Sequence, residues 1–194
     1  MRTTLLACCV LTVMTATADA QTTYVGPWQP RPTIGVAIGA SDYHLNNDRT
    51  NRLFSGTIEI PFSDKTRLRI EAGRSGIRVP ANASPEFFRF TGDARISRLT
   101  VSIGGLERPG DIVSPYAGLG LGFYRLTHDN VKTPIKPGFY AHGGAEVPVS
   151  DSATLNFEIG VHVIPGDFIH VRSPSSDVKG DGLFEALLRF KVGL

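Results

Sequence analysis

His142, His162, Glu146 and Glu158 are the residues whose types and spacing come nearest to a reactive centre. They fall in two neighbouring stretches that alternate polar and apolar residues. A histidine held there by a carboxylate would form a base and its orienting partner. The plainer expectation, adopted here, is that both imidazoles are hydrogen-bonded side chains filling a narrow interior. His44, His128 and His170 fall in loops, and no two histidines have the spacing of a zincin or a zinc finger. Gly118-Leu119-Gly120-Leu121-Gly122 lacks the following helix that a dinucleotide loop requires. Asp177-Val178-Lys179-Gly180-Asp181-Gly182 could offer carboxylates to Ca²⁺ but has no EF-hand register, and reads as an acidic loop. No catalytic residue, metal or cofactor is therefore expected.

The elements that would position these residues are strands. Over Leu183–Leu194, Phe184, Ala186, Leu188, Phe190, Val192 and Leu194 share one face, opposite Leu183, Glu185, Leu187, Arg189, Lys191 and Gly193. Period-two alternation of this length is that of a membrane-crossing β-strand. Seven earlier segments read the same way, beginning near Thr33, Phe54, Arg67, Arg98, Pro115, Phe139 and Thr154. Arg74 to Gly92 reads as a long connection containing Phe87-Phe88-Arg89-Phe90, and Ile96, out of phase with its strand, marks a β-bulge. Glu59-Ile60-Pro61-Phe62-Ser63-Asp64 recurs as Glu146-Val147-Pro148-Val149-Ser150-Asp151, and Leu68, Glu71 and Gly73 match Leu155, Glu158 and Gly160 at the same offset. That offset is half of residues 21–194, which implies two four-stranded halves. Connections are short after strands two, four and six and long after one, three, five and seven, as in transmembrane barrels.

Residues 1–20 have the form of a cleaved signal peptide: Arg2, an apolar stretch from Leu5 to Met14, then Ala18-Asp19-Ala20. A lipoprotein reading through Leu5-Leu6-Ala7-Cys8 would leave almost no hydrophobic segment before the cut. Both cysteines, Cys8 and Cys9, lie in the signal, so no disulfide framework follows. Residues 21–32, with Pro27, Trp28, Pro30 and Pro32, read as a periplasmic lead-in, and residues 33–194 as one barrel domain. A formal net charge of +2 gives no reason to expect nucleic acid. No apolar run approaches the roughly 18 residues of a membrane helix.

Alternation alone does not distinguish a membrane barrel, apolar side out, from a secreted lipocalin-like binding barrel, apolar side in. Charge and size favour the first. The polar face carries Glu59, Glu71, Glu146, Glu158 and Glu185 with Arg67, Arg69, Arg98, Arg189 and Lys191, five acids against five bases. Burial in a narrow lumen is tolerable only for paired charges. The same face holds Gly118, Gly120 and Gly122, the small residues that such a lumen needs beside large ones. The expected fold is all-β: an eight-stranded antiparallel up-and-down transmembrane β-barrel preceded by a cleaved signal peptide.

Pro115-Tyr116-Ala117-Gly118-Leu119-Gly120-Leu121-Gly122, the Pro148-Val149-Ser150-Asp151 turn and the amphipathic last strand resemble small bacterial outer-membrane β-barrels of the OmpA-like and OmpW-like kind. The resemblance covers Thr33 to Leu194. It implies a location in the outer membrane, contact with outer-membrane lipid, and reading of the last strand (Phe190, Val192, Leu194) by the barrel-insertion machinery. Family members typically end on an aromatic residue, where this chain has Leu194. No peptidoglycan-binding domain follows the barrel, so cell-wall anchoring is not implied. Lipid A deacylases also use eight strands, but their His-x-Ser arrangement is absent: Val163 and Ile164 follow His162. The leading expectation is a structural or surface-interaction role with a plugged, charge-paired lumen and no enzymatic activity. OmpW-like passage of small or apolar solutes and a lipid-active enzyme are the alternatives, and the sequence names no surface partner.

Overall fold

The computed structural model describes residues 31–43, 51–79, 81, 90–107, 112–129, 131–166, 168–169 and 180–194. The expected signal peptide, most of the lead-in, His44, His170, Phe87, Phe88, Arg89 and Asp177 lie outside the described residues.

Eight long strands form the wall: β1 (Thr33–Tyr43), β2 (Asn51–Pro61), β3 (Thr66–Val79), β4 (Gly92–Leu106), β5 (Ser114–His128), β6 (Lys136–Ser150), β7 (Ala153–Pro165) and β8 (Gly180–Gly193). Each pairs antiparallel with the next, and β1 pairs with β8 from Thr33↔Gly193 to Tyr43↔Leu183, so the sheet closes without an edge. A two-residue segment, Val131–Lys132, pairs with the end of β5. The connections after β2, β4 and β6 define a turn end and those after β1, β3, β5 and β7 a loop end; the expected alternation of short and long holds only in part, because the connection after β4 (107–113) is as long as those after β1 (44–50) and β5 (129–135). Ser63 makes the first turn by accepting the Thr66 and Lys65 backbone N–H groups at 3.0 and 3.3 Å.

The apolar face of the alternation is outside. Leu119, Val36 and Phe139 are 72%, 65% and 61% exposed, whereas Glu71 and Arg189 are fully buried in the lumen. An oily calyx of the lipocalin kind is therefore excluded.

Three local expectations need correction. β3 does not stop near Gly73 but runs to Val79, paired throughout with β4. Ile96 marks no bulge: the β3–β4 and β4–β5 registers pass through it unbroken, and its side chain is buried. The register shift lies instead between Pro148 and Ser150, so β6 continues to Ser150 and the turn contracts to Asp151 and Ser152. The first two share one cause. Toward the loop end the pattern inverts: Ile77, Val79, Ala94 and Ile96 face inward while Arg74, Arg78 and Arg95 face outward. A search for apolar residues on the lipid side ends where the membrane ends, although the strands continue.

These inward apolar residues build a plug with Tyr124, Leu126, Ile164 and Leu183, into which Phe168 and Ile169 fold from the β7–β8 connection. Asp181 holds that fold. It lies within β8, not in an acidic loop, and its Oδ2 accepts the backbone N–H of Phe168 at 3.0 Å and of Ile169 at 2.8 Å. Asp181→Ala would strand both buried donors, at a cost of about 1–3 kcal/mol. Amide exchange at Phe168 and Ile169 should then accelerate while the exchange of β8 stays slow; unchanged protection at both amides would refute this role.

Candidate functional site

Below the plug the lumen is charged. Inward positions of β2, β3, β6, β7 and β8 supply Glu59, Glu71, Glu146, Glu158 and Glu185; β3, β4 and β8 supply Arg67, Arg69, Arg98, Arg189 and Lys191. Arg67, nearest the turn end, keeps 12% of its side chain accessible, and the other nine residues are buried.

The internal repeat explains how the cations are held. Glu59 and Glu146 are repeat-related, as are Glu71 and Glu158, and β2–β3 lie opposite β6–β7 in the closed sheet. Lys191 Nζ spans the first pair, 2.8 Å from Glu59 Oε2 and bonded to Glu146 Oε2. Arg189 Nη2 spans the second, 2.7 Å from Glu71 Oε2 and 2.9 Å from Glu158 Oε1. Each cation of β8 is thus clamped across the lumen by carboxylates that the duplication placed face to face.

The remaining bonds join these clamps. Arg67 Nη1 donates to Glu146 Oε2 at 3.0 Å, and Arg69 Nε donates to Glu59 Oε1 at 2.7 Å while its Nη1 bonds Glu158. Arg98 Nη2 lies 2.7 Å from Glu71 Oε1, and its Nη1 bonds Glu185. Every acid meets at least one base, the condition under which buried ions persist.

Aromatic residues fill the space toward the plug, and the sequence reading gave them no role. The Tyr140 ring stacks on both histidines, 5.0 Å from His142 and 4.4 Å from His162, nearly parallel to each. Its hydroxyl donates to Glu158 Oε1 at 3.1 Å, and that of Tyr116 to Glu158 Oε2 at 2.7 Å. The Tyr124 ring covers Gly122, where a β-carbon would collide with the phenol, and its hydroxyl lies 2.6 Å from His162 Nδ1. His162 Nε2 is 3.2 Å from Glu185 Oε2. The available signal was their shared inward parity with the glutamates.

One constellation outlines a nucleophile, base and acid: Ser102 Oγ is 3.2 Å from His142 Nε2, and His142 Nδ1 is 3.5 Å from Glu158 Oε2. Glu158 does not face that ring alone. Arg69 Nη1 lies 3.2 Å from the same Nδ1 and is itself bonded to Glu158, so a guanidinium shares the place where an orienting carboxylate would have to act alone. The cavity beside it, lined by Glu59, Arg67, Tyr116, His142 and Lys191 among others, measures about 20 Å³. That is room for about one water.

His128, expected in a loop, instead closes β5 at the loop end, its Nε2 2.9 Å from the Thr91 carbonyl oxygen and its ring 4.8 Å from that of Phe90. Phe190 and Val192 line the outer face of β8, exposed by 45% and 37%, and Leu194, just past its end, is 70% exposed. Among the described residues, no three of His, Cys, Asp and Glu are grouped to hold a metal ion.

A closed eight-stranded meander with its apolar face outward and an ion-paired interior defines a small membrane-spanning barrel. The chain belongs to the outer membrane protein beta-barrel domain family, whose profile matches residues 4–183. The protein is accordingly one of the outer membrane. Its structure is similar to that of Neisserial surface protein A (TM-score 0.61, 14% identity, covering 84% of this chain and 96% of that one). It is also similar to outer membrane protein OprG of Pseudomonas aeruginosa (TM-score 0.54, 13% identity, covering 86% and 97%). The attachment invasion locus protein Ail of Yersinia pestis is a further likeness (TM-score 0.50, 13% identity, covering 84% and 97%). At these identities the likenesses are ones of fold. Comparison with curated protein sequences finds no match.

Proposed function

We propose that the protein is a structural or surface-interaction component of the outer membrane that neither passes solutes through its lumen nor catalyses a reaction there. The observation that carries this reading is the filling of the barrel. Ile164, Leu183 and Tyr124 have no accessible surface at the loop end, and the ten charged residues occupy the lumen below them. The cavity at the turn end, between Glu59, Tyr116 and His142, is about one water in size. In this reading the termini and the connections after β2, β4 and β6 face the periplasm, those after β1, β3, β5 and β7 face outward, and the insertion machinery reads Phe190, Val192 and Leu194. Planar-bilayer recordings of the purified barrel should give no steady conductance. Long-lived, uniform channels would overturn the proposal.

A further inference from the structure

On the outer surface of β2, β3 and β4, at the loop end, arginines surround a bare patch of backbone. Gly76 faces outward between the buried Ser75 and Ile77, and a β-carbon built on it meets nothing within 4 Å. Arg95 is its register partner on β4. The register that pairs Leu53 with Ser75 brings Arg52 beside it on β2. Arg74 and Arg78 stand two residues away along β3 on the same face. One phosphate-sized anion over Gly76 would therefore lie about 5–7 Å from the Cα atoms of four arginines, within reach of their side chains.

Among the described residues these charges are balanced only at Arg78. Arg78 pairs with Asp93 at 3.2 Å, both side chains largely in solvent. Arg52, Arg74 and Arg95 are exposed and have no ion-pair partner among the described residues. Beyond Ser97 on the same face, Arg125 has its Nε buried without a hydrogen bond. Like charges packed side by side in a sheet repel, and an external anion would relieve that repulsion. The cluster is also one-sided: among the described residues, β6, β7, β8 and β1 place no cation on the outer face at this end.

Just below the cluster, on the same outer face, the lipid-facing surface is hollowed. Gly56 and Ala72 are register partners, flanked along their strands by Phe54, Ile58 and Ile70. A β-carbon at Gly56 would meet only the Gly35 carbonyl oxygen, at 3.9 Å. A shallow apolar furrow thus leads into the basic cradle, which fits an acyl chain continuous with a charged head.

We propose that the Gly76 cradle binds the phosphate of an anionic lipid headgroup in the leaflet at the loop end, with a chain of that lipid seated along Gly56 and Ala72. Guanidinium groups suit this ligand, because they match phosphate oxygens with paired donors and remain charged at a membrane surface. The inference concerns the outer surface and stands apart from the reading of the lumen.

The test is native mass spectrometry of the full barrel in neutral detergent, titrated with dioleoyl phosphatidic acid. Dioleoylglycerol and inorganic phosphate serve as probes of chain alone and anion alone. The barrel should retain one phosphatidic acid at least tenfold more tightly than dioleoylglycerol. Arg52→Gln combined with Arg95→Gln should abolish that preference. Gly76→Val removes no charge but fills the cradle, and should weaken retention at least fivefold; heat-modifiable migration verifies that each variant is folded. Equal retention by the barrel and the double variant would overturn the proposal. So would a loss of the same size from Lys65→Gln at the turn end, which would mean diffuse attraction. Displacement by inorganic phosphate at concentrations equal to the lipid would overturn the lipid assignment.

Discussion

Glu158→Ala should destabilise the barrel by about 3–5 kcal/mol, the range for removing one member of a buried ion pair. Glu158 is the junction of the lumen. It accepts from Arg69, from Arg189 at 2.9 Å, and from the hydroxyls of Tyr116 and Tyr140 at 2.7 and 3.1 Å. Alanine would leave two buried guanidiniums short of a carboxylate and two phenols without an acceptor. Glu158→Gln offers little relief, since its amide group would present donors to donors. Lys191→Met should cost less, because Glu59 and Glu146 both retain Arg67 and Glu59 also retains Arg69. Urea midpoints of the refolded barrel, read by heat-modifiable migration, would rank the three. A double-mutant cycle of Glu158→Ala with Arg189→Met should be strongly non-additive, the second change costing little once the carboxylate is gone. A loss below about 1 kcal/mol for Glu158→Ala would mean the lumen is wet and its ions solvated, contrary to the packing described here.

Why some of this was legible from residues and some was not follows from where the lipid lies. Between Ile58 and Ile60 on β2, or Leu119 and Phe123 on β5, each outward position meets hydrocarbon, so composition reports orientation directly. The duplicated Glu59 and Glu146 gave strand number, since a hairpin returning after half the chain implies two halves. Its deeper consequence, that Lys191 and Arg189 are each held between repeat-related carboxylates, required knowing that β2–β3 stand opposite β6–β7. Ile77, Val79 and Ile96 were misleading because they answer to another rule. Above the hydrocarbon the outer face meets headgroups and water, while the inner face seals the barrel. The apolar residues accordingly change sides and the arginines move out. Phe168 and Ile169 enter the plug from a connection, where no periodicity marks them; their anchor, Asp181, looked like an ordinary acidic loop residue.

Leu121→Arg should cost about 2–4 kcal/mol when the barrel is folded into phospholipid vesicles, the range for a cation at the bilayer midplane of such proteins. Leu121 is 54% exposed at the centre of the apolar stretch of β5, beside Val101 and Phe139 on the adjoining strands. Its own strand supplies the control. Arg125, four residues on and on the same face, is native at the edge of the apolar band, where a guanidinium reaches headgroups and costs about 0–1 kcal/mol. Phe123→Arg should fall between these values, giving a gradient of cost with depth along one strand. A sheet whose outer face met water would respond oppositely, since replacing an exposed leucine by arginine is neutral within about 0.5 kcal/mol at an ordinary surface. Urea midpoints for Leu121→Arg and Phe123→Arg, set beside the unmodified barrel, therefore report the orientation of the whole sheet. Equal, negligible losses at both positions would place water against the outer face and remove the membrane from the account.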